Sequence, residues 1–586
     1  MLNRIRRRLW MSIVTVPTLV LSGFLAVITP QSSMVSYRQG ISADVTYTAS
    51  NVALTSIGTA NLSTAELASP SGAPVFGSQR AINFPFGKAP AAGTATHSGN
   101  LIVSGKYAIV NKNLPGEIGF NGISGSQQAA TKGGFDLEPP DQGTCAGPLP
   151  NGSPVTMEII NNALSAYTPT GQQLLPTTAS ALLFAQAPGT FMSDPRCYYD
   201  SSTQRWFFTE FTFGVPAEQY IAVSQTNNPL GMYGVFGINT TDVSNTTGNC
   251  PCFGDFDMIG ANANGFYITT NEFSNVNFQF NGTVMYAISK QELVSAADGG
   301  SLPSVARYQI TGDAFGSGVN NGPYHIAPAS TPVGGSYAPN TEYFVESNSD
   351  QSSDNHLIVY MLNGTNTLAS SMIPTLQAVE IGTEGYAFPP NATQKAGPIP
   401  LGSSYGAKVP STLQADFNAI QEVTYTNGLL YAEMDTALGR VTSRDAIGWF
   451  IISPSVTGAL SARLISQGYI SSSQNLLYPD IVVDPNGSGY MTFSISGTSE
   501  YPSPAYMVFR TKAGPAGDIH LATMGTAPED GFTCYPQLGG TGCRWGDYSA
   551  GAYFGGRIYM MTEYIPSSPR DTYTNWGTYV WSLPSA

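Results

Sequence analysis

The stretch Asp194-Pro195-Arg196-Cys197-Tyr198-Tyr199, followed by Phe208-Thr209-Glu210-Phe211, decides the fold of this 586-residue chain. An aspartate opens one predicted strand, and a glutamate between aromatic residues closes the next strand sixteen residues later. Two more copies run from Gly254-Asp255-Phe256 to Thr270-Asn271-Glu272-Phe273 and from Trp545-Gly546-Asp547-Tyr548-Ser549 to Met561-Thr562-Glu563-Tyr564. Repetition on this scale indicates that one supersecondary unit is used several times.

Looser copies fill the intervals between these three. Hairpins are predicted over Tyr478–Ser494, around a Pro-Asn-Gly turn, and over Gln421–Met434, around an Asn-Gly turn. Thr341–Glu346 and Val155–Ile160 match the second strand of the unit. A third apolar strand follows in six units, at Tyr220–Ser224, Val284–Ile288, Leu357–Tyr360, Trp449–Ile452, Tyr506–Phe509 and Tyr579–Trp581. The chain therefore holds about seven units from Pro139 to its end.

Short strands rich in Tyr, Phe, Val and Ile, separated by Gly, Pro, Asn and Ser, predict an all-β fold. Small sheets repeated at this spacing close into a ring, which protects their edges, so we predict a seven-bladed β-propeller. A ring of six or eight blades is also possible, because the units around residues 320–366 and 414–453 match the repeat only weakly. Asp194, Asp255, Asp480 and Asp547 are expected at matching places around one axis, each on an inner strand.

The N-terminal segment has the pattern of an export signal. Arginines at positions 4, 6, 7 and 8 precede an apolar run from Leu9 to Ile28. The run is long, contains Pro17 and shows no clear cleavage site, so residues 1–31 are predicted to be a signal peptide or a retained membrane anchor. Residues 32–131, rich in Ser, Thr, Ala and Gly, are expected to form a partly ordered leader, one strand of which completes the final blade. Residues 132–586 are the predicted propeller domain.

Charge narrows the possible partners. Charged residues make up 11% of the chain and the net charge is −14, with no basic stripe, which argues against nucleic acid as a partner. A membrane contact is expected only through the N-terminal segment. Few carboxylates also mean few ion pairs to lose on acidification, so tolerance of acid is expected.

Six cysteines in an exported chain predict disulfides. Cys534 and Cys543 bracket a glycine-rich turn and are expected to pair. Cys250 and Cys252 are separated by one proline, a spacing that seldom bridges itself. One or both are therefore expected to reach Cys145 or Cys197, and a thiolate metal site is the weaker alternative.

Several motifs resemble a broad group of exported microbial β-propeller proteins, mostly uncharacterised. The motifs are Pro139-Pro140-Asp141, Asp194-Pro195-Arg196 with Arg205-Trp206-Phe207, Ala222–Gly231, Tyr267–Phe273 and, most specifically, Arg544-Trp545-Gly546-Asp547-Tyr548-Ser549. The resemblance extends over roughly Pro139–Leu583 and implies a fold and an extracellular setting, without a reaction. Its likeness to sialidases is one of architecture only, because the Ser-x-Asp-x-Gly-x-x-Trp turn is absent.

The repeated acids allow two interpretations. In the structural interpretation, they accept hydrogen bonds from the next blade and hold the ring together. As functional groups, they form a ring of carboxylates at one mouth of the channel, able to bind Ca²⁺ through Asp255 and Asp257 or to act as general acid and base. The candidate catalytic residues are Glu210, Glu272, Asp547 and Glu563, and the candidate binding residues are Asp194, Arg196, Arg544, Trp545 and Tyr548.

Motifs of other enzyme classes are missing from the sequence: it has no Gly-x-Ser-x-Gly elbow, His-Glu-x-x-His helix or phosphate loop. Most aromatic residues are expected in the core, with Trp545 and Tyr548 as the exceptions that face a ligand. The sequence therefore predicts an extracellular or cell-surface binding module for a polysaccharide, a surface protein or cations. The alternative is a polysaccharide-active glycosidase or lyase that uses carboxylates at the channel mouth.

Overall fold

A computed structural model describes residues 41–43, 45, 47–63, 107–242, 250–310, 323–347, 353–438, 443–456, 461–540, 542–566 and 574–586. The predicted signal or anchor, residues 1–31, lies outside these ranges. Within them, no helix is both long and apolar enough to span a bilayer.

The described part of the leader contributes five strands. They are β1 (Ile41–Ala43), β2 (Tyr47–Ala53), β3 (Thr55–Asn61), β4 (Ile109–Val110) and β5 (Ile118–Ser124). A short helix, α1 (Gly125–Ala129), follows β5 and is capped by Ser124.

By their antiparallel pairing the remaining strands fall, in chain order, into seven groups that we call sheets 1 to 7; parallel bridges from β18 to β14 and β22 join sheets 3, 4 and 5 into one larger sheet. Sheet 1 is β6 (Gly143–Pro148), β7 (Pro154–Ile160), β8 (Ala163–Tyr167) and β9 (Gln173–Ala179). Sheet 2 is β10 (Ser193–Asp200), β11 (Arg205–Thr212), β12 (Glu218–Ser224) and β13 (Met232–Asn239). Sheet 3 is β14 (Cys252–Ala261), β15 (Gly265–Ser274), β16 (Phe280–Ser289) and β17 (Ser304–Ile310).

Sheet 4 is β18 (Ala327–Ser330), β19 (Thr341–Ser347), β20 (Ser353–Asn363) and β21 (Thr375–Ala387). Sheet 5 is β22 (Ile420–Thr426), β23 (Leu429–Leu438), β24 (Arg444–Ser455) and β25 (Ser461–Ile470). Sheet 6 is β26 (Asn475–Val483), β27 (Gly489–Ser496), β28 (Ser503–Arg510) and β29 (Gly514–Leu521). Sheet 7 is β30 (Ala550–Phe554), β31 (Arg557–Tyr564) and β32 (Gly577–Pro584). Two helices lie between strands, α2 (Lys290–Ala297) and α3 (Pro400–Ser404).

The first strand of each sheet faces a common axis. β6 packs against β10 and β30, β14 packs against β10 and β18, and β22 packs against β18 and β26, which in turn contacts β30. These contacts return to their starting point, so the inner strands form a closed ring. The predicted all-β propeller fold is confirmed, and the predicted second and third strands all fall in those places in their sheets.

The core lies between neighbouring sheets, because successive side chains of a strand point to opposite faces. In β11, Phe207 packs toward sheet 3 with Phe266, whereas Phe208 packs toward sheet 1 with Met157. Both faces of most sheets are buried in this way. The strands therefore read as nearly continuous apolar runs.

The leader binds along the outer rim of the ring. β3, β2 and β1 add a fifth strand to sheets 2, 3 and 4, and β4 adds one to sheet 6. β5 pairs with β32 as the fourth strand of sheet 7, so a leader strand does complete the last sheet. The ring is thus closed by main-chain hydrogen bonds between an N-terminal and a C-terminal segment.

Three disulfides join the six cysteines. Cys534 pairs with Cys543, and Cys145 on β6 pairs with Cys197 on β10. Cys250 pairs with Cys252. The expectation that Cys250 or Cys252 reaches Cys145 or Cys197 is therefore wrong. The reason is that β6 and β10 are adjacent inner strands, which brings Cys145 and Cys197 to a Cα separation of 5.4 Å, while the turn before β14 holds the other two Cα atoms 4.5 Å apart.

Candidate functional site

Five aspartates gather where the inner strands begin. β18 runs parallel to both β14 and β22, so the first residues of these strands lie at the same end of the ring. We call the group at this end the acidic mouth; its members are Asp141 before β6, Asp194 in β10, Asp255 in β14, Asp416 before β22 and Asp547 before β30. Five different sheets thus supply one carboxyl group each.

A left-handed backbone turn positions three of the five. Asp141, Asp194 and Asp416 have φ values of 45°, 54° and 41°, a region that aspartate tolerates better than most residues with a side chain. The turn points each carboxyl group toward the axis just as its inner strand begins. The same turn recurs at Phe256 and Tyr478 in sheets 3 and 6.

The expected equivalence of Asp194, Asp255, Asp480 and Asp547 is wrong in detail. Pairing of each inner strand with its neighbour is interrupted by a bulge just after Ser193, Asp255 and Leu477. By this register Asp255 lies one position before the place of Asp194, and Asp480 lies two positions after it. Because side chains alternate along a strand, a shift of one residue changes the direction of the side chain. Asp547 precedes its strand altogether.

Hydrogen bonds tie the acidic mouth together across three sheets. Asn161 Nδ2 donates to Asp141 Oδ2 over 2.6 Å, and the amide of Asp547 donates to Asp141 Oδ1 over 2.9 Å. Asn161 Oδ1 in turn accepts from the amide of Asp194 at 2.9 Å. The geometry of the mouth is therefore fixed by side chains and not by the strands alone.

Arg544 is the cation of the mouth. Its Nη2 lies 2.7 and 2.9 Å from the two carboxylate oxygens of Asp547. The segments that carry Asp416 and Asp547 pair with each other, since the amide of Gln414 donates to the carbonyl oxygen of Cys543 at 2.8 Å. The charges of Asp547 and Arg544 both act on the Asp416 carboxyl group.

Burial and mutual repulsion keep several of these acids protonated. Burial, followed by the charge of Asp547, raises the pKa of Asp141 and of Asp416 to about 7. Burial is also the main cause that raises the pKa of Asp255 to about 7, and it raises the pKa of Asp194 well above its usual value. Near neutral pH the mouth therefore mixes carboxylates with carboxylic acids, and can both accept and donate hydrogen bonds.

One buried amide beside the acids has unused hydrogen-bonding atoms. Within the described residues, neither polar atom of the Asn418 side chain has a hydrogen-bond partner, although this residue is 0% exposed. Asn418 follows Asp416 by two residues. Because buried polar groups are usually satisfied in native proteins, these atoms are available to water or to a polar ligand.

A layer of cationic and aromatic groups follows the mouth along the channel. The guanidinium of Arg196 lies over the ring of Tyr548, with Cζ 3.4 Å from the ring centroid. Its Nη1 donates to Glu422 at 2.9 Å, and its Nε donates to the carbonyl oxygen of Asp257. A cavity of about 110 Å³ adjoins this layer and is lined by Arg196, Glu422 and Asp480 among others.

Aromatic rings form a continuous series on the same end of the ring. We call it the aromatic row; it comprises Phe191, Phe213, Phe253, Phe273, Phe280, Tyr324 and Phe417, with successive ring centroids 4.9 to 6.2 Å apart. Each member stands just before or at the start of a first or third strand, or at the end of a second strand, which is the end of the ring where the mouth lies. The row ends at the acids, because Phe417 follows Asp416 in sequence.

Several predicted site residues lie outside the mouth. Glu210 accepts from the amide of Asn162 at 3.3 Å, and Glu563 accepts from the amide of Gly546 at 2.7 Å, so both act as links between backbone segments. Glu272 is fully buried in β15, where burial raises its pKa to about 8. Trp545 was expected on a binding face, but it is 1% exposed and packs in the core with Tyr478 and Trp576.

Asp255 and Asp257 do not converge. The bulge at Phe256 separates them, and Asp257 Oδ2 accepts from Thr209 and Gln219 of sheet 2 at 2.9 and 2.7 Å. Among the residues that the structure describes, no three His, Cys, Asp or Glu side chains are arranged to hold a metal ion. Asp194, Arg196, Arg544, Asp547 and Tyr548 do lie together at the mouth or in the layer beside it.

Asp141, Asp416 and Asn418 were not predicted from the sequence. A signal is present for the two aspartates, since each stands shortly before an inner strand. The predicted repeat instead pairs each aspartate with a glutamate on the next strand, which selects residues such as Glu272 that do not face the axis.

Comparisons with known proteins give only distant likenesses. No protein-family model matches the chain, and no curated protein matches its sequence. Among solved structures, Penicillium chrysogenum alpha-L-arabinanase is 8% identical over 79% of this chain and 97% of its own, with a TM-score of 0.32. Trypanosoma rangeli sialidase is 8% identical over 77% of this chain and 59% of its own, with a TM-score of 0.31. Phage phi92 endosialidase is 8% identical over 67% of this chain and 66% of its own, with a TM-score of 0.29. Scores this low carry no argument, and the propeller assignment rests on the strand order described above.

Proposed function

We propose that this protein is an exported β-propeller that binds a neutral polysaccharide at its acidic mouth. The observation that carries the proposal is the convergence of five aspartates from five sheets beside the buried side-chain amide of Asn418, whose polar atoms have no partner among the described residues. A site with many fixed acceptors and donors suits a ligand rich in hydroxyl groups. The three disulfides support an oxidising, extracellular setting.

Charge at the mouth favours a neutral sugar over an acidic one. Arg544 is engaged by Asp547, and Arg196 is engaged by Glu422. A uronic or sialic acid would bring a further carboxylate toward these aspartates. That approach is unfavourable, because the new charge repels those aspartates that are ionised and further opposes the ionisation of the others.

The experiment is calorimetric titration with neutral cello-, xylo- and arabino-oligosaccharides and their parent polymers. Asp416→Asn should weaken binding about tenfold or more, because it removes one of the five carboxyl groups that converge at the mouth. Asp298→Asn is the matched control, since Asp298 is an exposed aspartate near α2. Failure of every neutral sugar to bind at millimolar concentration, or equal binding by both variants, would overturn the proposal.

A second candidate is cleavage of the bound polysaccharide, by a glycosidase or a lyase. It is favoured by the position of Asp416 beside Asp547, because burial and the charge of Asp547 raise the pKa of Asp416 to about 7, and acid–base cleavage of a glycosidic bond uses an acid with a raised pKa near a second carboxyl group. Release of new chain ends by the purified protein, lost in Asp416→Asn and in Asp547→Asn, would establish this activity. A wild-type protein that binds sugar without releasing chain ends would establish the binding module.

Calcium at Asp255 and Asp257 stays a prediction. A cation held by either carboxylate stabilises the native state by linkage, so added calcium would raise the melting temperature. The rise should disappear in the double variant Asp255→Asn, Asp257→Asn. An unchanged melting temperature in the wild-type protein would dismiss the calcium site.

A further inference from the structure

We infer that the central channel holds a second binding site, for a small organic ammonium ion, beyond Arg196 as seen from the acidic mouth. This inference goes beyond the polysaccharide site and does not depend on it. The site is the cavity of about 110 Å³ that adjoins Arg196. Its wall includes Val483, the last residue of β26, and Tyr553, near the end of β30, so the cavity lies along the later part of the inner strands.

All seven sheets contribute to the wall of this cavity. Six wall residues are glycine or alanine, and their short side chains leave the axis of the channel unfilled; they are Gly143, Ala146, Gly260, Ala550, Gly551 and Ala552. The wall also reaches Val333 and Tyr553, which lie within two residues of the exposed Gly334 and Gly555. The cavity therefore extends to the end of the ring opposite the mouth. A space of this size suits a molecule of about four to six heavy atoms.

Asp480 is an acid without a partner in this wall. It is 4% exposed and lines the cavity, and its carboxyl group makes no hydrogen bond with any residue that the structure describes. Burial and then the charge of Glu422 raise the pKa of Asp480 well above its usual value. A cation in the cavity would offset both causes, because an opposite charge favours the ionised acid. The Asp480 oxygens are therefore suited to hold a positively charged ligand.

Acids outnumber cations around the cavity. Arg196 is the one cation among the described residues of the wall, and each of its three nitrogens already donates to a protein atom. Glu422 accepts from Arg196 through Oε1 at 2.9 Å, and its Oε2 accepts from none of the described residues. The charges of Asp480 and Glu422 also act on the buried Glu433. A ligand that brings a positive charge and N–H donors therefore balances the charge of this part of the channel.

The wall favours an organic ammonium ion over a metal ion or an anion. Its N–H groups can donate to Asp480 and Glu422, while its carbon atoms contact the apolar and aromatic side chains of Ile259, Val482 and Tyr553. Calcium takes about six to eight oxygen ligands. Within the described ranges, no three His, Cys, Asp or Glu side chains are arranged to hold a metal ion. An anion would be repelled by Glu422 and would oppose the ionisation of Asp480.

The test is calorimetric titration of the full-length protein with propylammonium and with 1-propanol, a neutral molecule of the same length. We expect propylammonium to bind with a Kd of about 1 mM or below, and 1-propanol to bind about tenfold or more weakly. Asp480→Asn keeps the shape of the side chain and removes its charge, so it should weaken propylammonium binding about tenfold or more. Asp298→Asn makes the same change of net charge at an exposed position and should leave the affinity unchanged.

A second variant and a second measurement guard against a folding defect. Asp480→Glu keeps the charge and should still bind methylammonium, which leaves room for the added methylene group. Propylammonium should raise the melting temperature of the wild-type protein and of Asp298→Asn, but not that of Asp480→Asn.

Three results would overturn the inference. They are equal affinity of the wild-type protein for propylammonium and 1-propanol, displacement of propylammonium by an equal concentration of sodium ions, and wild-type affinity in a folded Asp480→Asn protein. None of them bears on the sugar titrations, which report on the acidic mouth, so failure of this site and failure of the polysaccharide site are distinguishable.

Discussion

The guanidinium of Arg196 lies flat over the ring of Tyr548, 3.4 Å from Cζ to the ring centroid, and joins the inner strand of sheet 2 to the segment that precedes sheet 7. The Tyr548 hydroxyl also donates to the carbonyl oxygen of Pro195, next to Arg196. Arg196 reaches sheet 5 as well, through Glu422. One side chain thus connects three sheets across the channel.

Replacement of Arg196 should therefore destabilise the ring. Arg196→Met keeps most of the length of the side chain, but it leaves Glu422 without its partner and removes the cation–π contact. Because Glu422 is 27% exposed, we expect a loss on the order of 2–3 kcal/mol, below that of a fully buried pair. Tyr548→Phe keeps the ring and should cost only about 1 kcal/mol. Urea denaturation of both variants measures the difference, and equal losses would contradict it.

The protein should be more stable in mild acid than at neutral pH. Burial raises the pKa of Asp141, Asp255 and Asp416 to about 7, above the unfolded value of 3.8. The native state then binds more protons than the unfolded state between about pH 4 and 7. The stability that these groups contribute is complete below about pH 4 and is lost as the pH rises through about 7.

The buried pair of Asp200 and Lys290 has the opposite effect on the pH dependence of stability. Burial opposes ionisation of Asp200, but the Lys290 ammonium, 2.8 Å away, lowers the pKa of Asp200, so its contribution is lost in stronger acid. The melting temperature should therefore be highest near pH 4 to 5 and fall by several degrees toward pH 8. Scanning calorimetry across this range gives the profile, and Asp255→Asn should flatten its slope. A melting temperature that rises steadily from pH 5 to pH 8 would contradict the raised pKa values of these aspartates.

The sequence predicts the propeller well because its evidence is repeated. Third strands such as Tyr220–Ser224 and Trp449–Ile452 are apolar on both faces. Because this pattern recurs in several strands, an atypical residue at one position does not hide it. The mouth is predicted less well because its geometry depends on single-residue register. Nothing in the local sequence shows that Phe256 takes the left-handed turn that Asp194 takes, and this turn decides that Asp255 and Asp257 point apart.

Contacts between segments that lie far apart in the chain also could not be predicted from the local sequence. Asp416 lies 131 residues before Asp547 in the chain, and pairing of the two segments, through the amide of Gln414 and the carbonyl oxygen of Cys543, brings them together. Trp545 follows Arg544 directly and was expected to share its surroundings. It instead turns into the core beside Cys534 and Cys543, because those residues fold back against the same segment.

The disulfide between sheets 1 and 2 should contribute more stability than the one near the C-terminus. Cys145 and Cys197 are 52 residues apart, whereas Cys534 and Cys543 are 9 apart. Cross-linking a longer loop removes more entropy from the unfolded chain, giving about 4 kcal/mol for the first bridge and about 2.7 kcal/mol for the second. Denaturation of the double variants Cys145→Ala, Cys197→Ala and Cys534→Ala, Cys543→Ala tests the order. A larger loss for the second variant would contradict the entropic argument.

The closure of the ring should depend on Glu158. This side chain on β7 accepts from the amide of Ile123 on β5 at 3.0 and 3.2 Å, and from the Thr578 hydroxyl on β32. Sheet 1 is thereby fastened to both strands of the ladder that closes sheet 7. Glu158→Ala leaves the buried amide of Ile123 unpaired, whereas the Thr578 hydroxyl can still donate to the carbonyl oxygen of Ile123 at 3.2 Å, so the loss should be about 1–3 kcal/mol.

Glu158→Gln should retain most of this stability, because the amide oxygen still accepts from Ile123, and burial already raises the pKa of Glu158 to about 7, so that the native group is largely uncharged in mild acid. Asp518→Ala, at an exposed acid on β29, is the control and should have no effect. Loss of closure in Glu158→Ala should free β5 from β32, so limited proteolysis should cut within Ile118–Ser124 sooner than in the wild-type protein or in Glu158→Gln. Equal rates of cleavage in all four proteins would show that the closing strand is held by its main-chain ladder without help from Glu158.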